Sequence, residues 1–196
     1  MYNIGDKVVY PMHGAGTIDA IEEKNILGEN QAYYIIKMPG EVKVMVPTAK
    51  AQDVGVRNII DENTASQVFK VLETNSTEMS TSWNKRYRDN MEKMKSGDIY
   101  EVADVVRNLS FKQKEKGLST GEKKMLLNAK QILVSELTLA ENANKEEIEE
   151  MVNSKIDLSF MEFNKGEKEE TVKTTAKTIK KFISFDSVGE PNEDIG

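Results

Sequence analysis

No cysteine occurs among the 196 residues, so disulfides and thiolate metal sites are excluded. Histidine occurs once, at His13, which leaves no partner for a histidine-based metal site or a Ser-His-Asp triad. No apolar run approaches the roughly 20 residues of a membrane span. Residues 1–7 lack the basic segment and apolar stretch of a secretory signal. A cytoplasmic protein without membrane partners is the simplest reading of these absences. Proline is scarce, at 4 in the chain, and Pro11, Pro39 and Pro47 fall together near the start, where they punctuate short strands.

Charge is abundant and unevenly placed. The net charge of −6 argues against a generic nucleic-acid binder. Residues 83–131, however, carry 12 Lys/Arg against 7 Asp/Glu, net +5, whereas residues 132–196 carry 8 against 15, net −7. A basic segment thus lies inside an acidic chain, and local patches rather than the total steer a polyanion.

The first 57 residues read as short strands. Lys7-Val8-Val9-Tyr10 is β-prone and ends at Pro11, and Gly14-Ala15-Gly16 marks a turn. Thr17 to Glu22 alternates with period two, although Ile21 breaks the pattern. Residues 25–30 read as a loop, residues 32–38 as a strand stopped by Pro39-Gly40, and Val42, Val44 and Val46 as a further alternating strand. Closely spaced strands of this kind suggest a small twisted barrel.

The texture becomes helical after Arg57. Asn63 or Thr64 caps a helix bearing Val68, Val71 and Leu72, and residues 75–78 form a linker. A second helix spans about Ser82 to Ser96, stopped by Gly97, and Asp98 caps a third that Gly117 ends. Ser119 and Glu122 have capping-box spacing before a fourth helix with Met125, Leu126, Ala129, Ile132, Leu133 and Leu137. Asn144 starts a fifth with Ile148, Met151, Val152 and Ile156. The resulting division is 1–57, a β module; 58–157, a compact all-helical domain; and 158–196, an extension with one helix over about 171–185 and a disordered end. The fold class is α+β.

Catalytic chemistry finds little support. His13 in a Pro-Met-His-Gly turn reads as a turn residue. Glu146, Glu147, Glu149 and Glu150 follow the solvent side of an amphipathic helix. Gly14-Ala15-Gly16 opens no Lys-Ser/Thr helix and is not a phosphate loop. The expectation is a non-enzymatic protein with no cofactor and no metal.

The most informative segment runs from Trp83 to Lys93. Trp83, Tyr87, Met91 and Met94 form one helical stripe, and Lys85, Arg86 and Arg88 flank its first turn. On spacing alone the stripe is core and the charges are solvated. In the sharper reading Tyr87, Met91 and Met94 pack, while Trp83 projects from the first turn beside cations, where it could wedge or stack against a base. Lys123 and Lys124 support that reading, because cations in a helix's first turn oppose its dipole and suit an anionic partner.

These residues resemble the CarD/CdnL family of bacterial transcription regulators. The resemblance rests on Gly5 to Pro11 with His13 to Gly16, on Val46-Pro47, on Val54 to Arg57, and on Trp83 to Tyr87. Lys95 to Asp98, Val102 to Leu109 and Gly117 to Leu126 complete it, so that it covers about residues 1–156. It implies a Tudor-like N-terminal barrel that binds the RNA polymerase β subunit. It also implies a helical domain that meets promoter DNA at the upstream edge of the transcription bubble. There Trp83 would wedge into the minor groove and stabilise the open complex, with Lys85, Arg86, Arg88, Lys123 and Lys124 near phosphates. Lys24 falls at a basic polymerase contact. A second such contact, before Pro47, is often Arg but is Met45 here, and Lys43 on the same strand face is its substitute. The expected agent is thus a monomeric regulator of promoter opening; the alternatives are a protein-only polymerase adaptor and a carboxylate hydrolase.

Overall fold

The computed structural model describes residues 1–26 and 28–186, with side chains described to Lys165. Residues 187–196, the expected disordered end, lie outside the described residues. The strands are β1 (Lys7–Tyr10), β2 (Gly14–Ile26), β3 (Glu29–Lys37), β4 (Lys43–Pro47) and β5 (Arg57–Asn58). They pair antiparallel as a 5-stranded sheet in the order β4-β3-β2-β1-β5. The helices α1 (Glu62–Leu72), α2 (Trp83–Lys95), α3 (Ile99–Glu115), α4 (Thr120–Glu141) and α5 (Lys145–Asp186) follow. The class is α+β, as expected, but the sheet is not closed: β4 and β5 are its edges, and no ladder joins them among the described residues.

Three local features differ from the sequence expectation. Gly14-Ala15-Gly16 is not a turn but the start of β2. A Cβ on Gly14 (φ +97°) would lie 2.6 Å from Ser135 Oγ, and one on Gly16 would lie 2.5 Å from the Lys37 carbonyl oxygen. The glycines are there because neighbours approach, not because the chain reverses. The reversal falls earlier, over residues 11–13, where Met12 has φ +68°. Residues 25–30 are mostly strand: Asn25 pairs with Asn30 and Ile26 with Glu29, next to Gly28 at φ +88°. Finally, the register shifts between Ile18 and Ala20. This bulge explains the break in alternation at Ile21: it puts Ile18 opposite Ile36 and Ile21 opposite Tyr34, so that both isoleucines fall on one side of the sheet, with Ile18 buried in the core and Ile21 exposed at its margin.

That face buries Val8, Ile18, Tyr34, Ile36, Met38, Val46, Ala51 and Val56. The sheet's other side meets α4, where the Ala15 amide donates to Ser135 Oγ (2.8 Å) in a buried hydrogen bond. Lys7 Nζ reaches the Leu139 carbonyl at 2.9 Å. Helix α4 is covered all round over its second half, where every residue from Ile132 to Leu137 is buried. Residues Met1–Ser159 form one compact unit, and the chain from Phe160 on clusters separately.

The helix starts follow their capping chemistry. The N-cap of α1 is Asp61, whose side chain accepts from the Thr64 amide; Asn63 and Thr64, expected as caps, lie within the first turn. Asp98 caps α3, and Ser119 with Glu122 makes the anticipated capping box on α4. Asn144 Oδ1 accepts from the Glu146 amide at the start of α5. The two helices expected over 145–156 and 171–185 belong to the single element α5. The linker over residues 75–78 is tied down by Asn108, which accepts from the Thr77 amide (2.9 Å) and donates to its hydroxyl (2.7 Å).

Candidate nucleic-acid interface and sheet face

Helix α2 carries its stripe as the sharper reading expected. Met94 is buried, Tyr87 and Met91 are half-buried, and Trp83 is 45% exposed at the first helical position. The indole is not loose. It stacks on Tyr87 with ring centroids 5.4 Å apart and planes 27° from parallel. Its Nε1–H donates to Ser119 Oγ at 2.9 Å. Gly121 lies beneath it, where a Cβ would be 3.6 Å from Trp83 Cζ2. The first turns of α2 and α4 therefore meet at this ring.

Lys85 and Arg88 are exposed on α2, and Lys123 and Lys124 are exposed on the first turn of α4. None of these makes an ion pair among the described residues, whereas Lys24, Lys37, Lys43, Lys93 and Lys155 each do. The start of α2 has no acidic residue in its first turn and no side-chain cap from Ser82. Uncapped amides of this kind, with positive dipole ends and unpaired cations, favour phosphate.

Arg86 departs from the expected role. It is only 8% exposed, and its guanidinium points inward. Nε donates to Glu122 Oε1 at 2.6 Å, and Nη1 donates to the carbonyls of Ser80 (2.8 Å) and Thr81 (3.2 Å). A cation engaged on each of these sides anchors the loop before α2 and is not presented to phosphate. Burial pushes the Glu122 carboxyl's pKa up. The hydrogen bonds from Arg86 and Ser119, with the Arg86 charge, outweigh that and hold it below its ordinary value. The sequence held a signal for this: Arg86 and Asn90 lie at i+3 and i+7 from Trp83, on the inward stripe, and both are buried.

On the sheet, directly paired residues share a face. Lys43 pairs with Lys37, Met45 with Ile35 and Pro47 with Tyr33; Ile35 pairs with Ala20, Tyr33 with Glu22 and Gln31 with Lys24. Lys24, Lys43, Met45 and Pro47 therefore stand on one face, opposite the Val44 and Val46 side. Met45 is 49% exposed beside this row. Lys43 is held by Asp19 at 2.6 Å and Lys24 by Glu22 at 2.7 Å, so both lysines carry an acidic neighbour. The Asp19 carboxyl is the bulge residue's own, and the Lys43 hydrogen bond holds its pKa below the ordinary value.

No cluster of metal-binding side chains occurs among the described residues, and no helix among them is long and apolar enough to cross a membrane. An antiparallel sheet with Lys43 and Met45 exposed on its edge strand, and helices that display an aromatic ring among cations, define an α+β protein with two candidate binding surfaces. Residues 2–60 match the family model described as the CarD-like/TRCF RID domain, and residues 67–153 match the CarD C-terminal domain. The chain is 42% identical over 149 residues to the “Putative transcription factor YdeB” of Bacillus subtilis (strain 168). That alignment covers 76% of this chain and 97% of the relative. The chain belongs to the CarD family, whose function is transcription regulation through RNA polymerase.

Proposed function

We propose that residues 1–57 dock on the RNA polymerase β subunit, and that residues 58–157 meet promoter DNA at the upstream edge of the bubble, the whole acting as a monomer without catalysis. Lys24, Lys43, Met45 and Pro47 form the polymerase face. Trp83 enters the minor groove, and Lys85, Arg88, Lys123 and Lys124 approach phosphates; Arg86 holds the frame from which they project. The protein thereby modulates open-complex stability. The observation that carries this reading is the half-exposed, tethered indole set among exposed cations that make no ion pair among the described residues.

The acidic total suits the mechanism. Anchoring on polymerase raises the effective concentration of DNA, so affinity for bare duplex is weak and salt-sensitive. Some minor-groove proteins insert an apolar wedge and recover the unstacking cost through a bent or opened duplex. A photocrosslinking residue at Lys85 or Arg88, in a promoter complex with polymerase, tests the DNA contact. Crosslinks to DNA upstream of the bubble are expected. A complex that forms fully and yields none from either position identifies a protein-only adaptor instead.

A further inference from the structure

Ser119 joins two networks. Its hydroxyl hydrogen goes to Glu122 Oε2 (2.8 Å), and its lone pairs accept from Trp83 Nε1 (2.9 Å) and the Glu122 amide (3.3 Å). Glu122 Oε2 also takes the Ser119 amide (3.0 Å), and Oε1 takes Arg86 Nε (2.6 Å). Glu122 is 2% exposed and Arg86 is buried. An exposed ring is thus tied through one hydroxyl to a buried, charge-assisted frame, and the Tyr87 stack and Gly121 limit its remaining motion.

We infer that Ser119 is a positioning residue for Trp83: it fixes the indole rotamer in the free protein, so that the ring meets DNA preorganised. The inference rests on the wedge reading above. An unrestrained tryptophan at a helix start would have to be ordered at the moment of binding, and removing that cost in advance is preorganisation. The capping box alone does not require the contact, since Ser119 would cap α4 equally well with the indole turned away.

The chain's 1 tryptophan gives a single indole N–H resonance in the 15N-labelled full-length protein. Ser119→Gly removes the acceptor while keeping the backbone amide that Glu122 uses, and glycine is tolerated at an N-cap. Ser119→Ala is a second removal, and Ser119→Thr restores the hydroxyl. In both removals the indole N–H should exchange with solvent about fivefold faster, the size of one hydrogen bond, and open-complex lifetime should fall by about the same factor. Ser119→Thr should recover both. In a Trp83→Phe background, which lacks the N–H, Ser119→Gly should add nothing. Wild-type lifetime in the removal variants overturns the inference, as does an equal loss in the Trp83→Phe background. Trp83→Ala, measured alongside, separates the two levels: if it leaves lifetime unchanged the wedge reading itself fails, whereas if it shortens lifetime and Ser119→Gly does not, only the positioning role fails.

Discussion

Arg57 and Glu136 form a bidentate ion pair between the last strand of the sheet and the C-terminal part of α4, with Nη1–Oε1 at 2.6 Å and Nη2–Oε2 at 2.9 Å. Glu136 is fully buried, and it also accepts from the Ile60 amide at 3.1 Å. Arg57 donates further to the Gly97 carbonyl, at 3.0 Å from Nε and 2.7 Å from Nη2. One guanidinium therefore ties together β5, α4 and the α2–α3 corner.

Arg57→Ala leaves the Glu136 carboxylate buried without its counter-charge, which should cost about 3–5 kcal/mol. Urea unfolding monitored by far-UV circular dichroism measures it. Replacing both partners, Arg57→Met with Glu136→Leu, should cost less than Arg57→Ala alone, because no unpaired charge remains. A double variant less stable than the single one would contradict this account of the junction.

Gly14→Ala should destabilise the fold by about 1–3 kcal/mol. The new Cβ would meet Ser135 Oγ at 2.6 Å and the residue would keep φ +97°. Combining it with Ser135→Ala should relieve only the Oγ clash, since Ser135 Cβ at 3.6 Å is in ordinary contact; the backbone strain remains and the buried Ala15 amide loses its acceptor. Thermal unfolding of the single and double variants checks both statements.

How much of this was legible in the sequence follows from how local each signal is. Capping at Asp98 and Ser119 and the stop at Gly97 (φ +74°) depend on residues within one turn, and they were readable. The glycines of β2 read as a turn in the sequence because their causes, Ser135 for Gly14 and the Lys37 carbonyl for Gly16, lie far beyond any local window. The Ile21 irregularity was visible, yet only the ladder with β3 shows that a bulge resolves it. Arg86 looked like its neighbours Lys85 and Arg88 by type; its partner Glu122 lies 36 positions on. The exposure of Trp83 was open on spacing alone, and the tether to Ser119 was not foreseen.

The Glu122 carboxyl sets a pH dependence. Its folded pKa lies below the ordinary value of 4.5, so its stabilising contribution is complete above that value and is lost as pH falls through the folded pKa. Glu122→Gln should therefore be less stable than wild type by about 1.5–3 kcal/mol at neutral pH, and the gap should narrow in acid. Urea titrations of both proteins from pH 7 down to pH 3 measure the gap, and one that widens as pH falls would refute the sign.

The sheet face should be separable from the DNA face. Met45→Glu puts a charge on an exposed position, so stability should stay within about 0.5 kcal/mol. Polymerase affinity should fall by at least about tenfold if Met45 sits centrally in the contact. Biolayer interferometry with immobilised polymerase reads the affinity. Unchanged binding would move the contact off the row formed by Lys24, Lys43, Met45 and Pro47.

The most direct test of the central claim is the lifetime of the open complex on an intrinsically unstable promoter, with polymerase saturated by wild type or by Trp83→Ala. Loss of the exposed ring leaves the buried Arg86–Glu122 pair intact, so the variant should fold and bind polymerase as wild type does. The account predicts that its open complexes decay at nearly the rate seen without the protein. A folded, polymerase-bound Trp83→Ala protein that prolongs the open complex as well as wild type would contradict it.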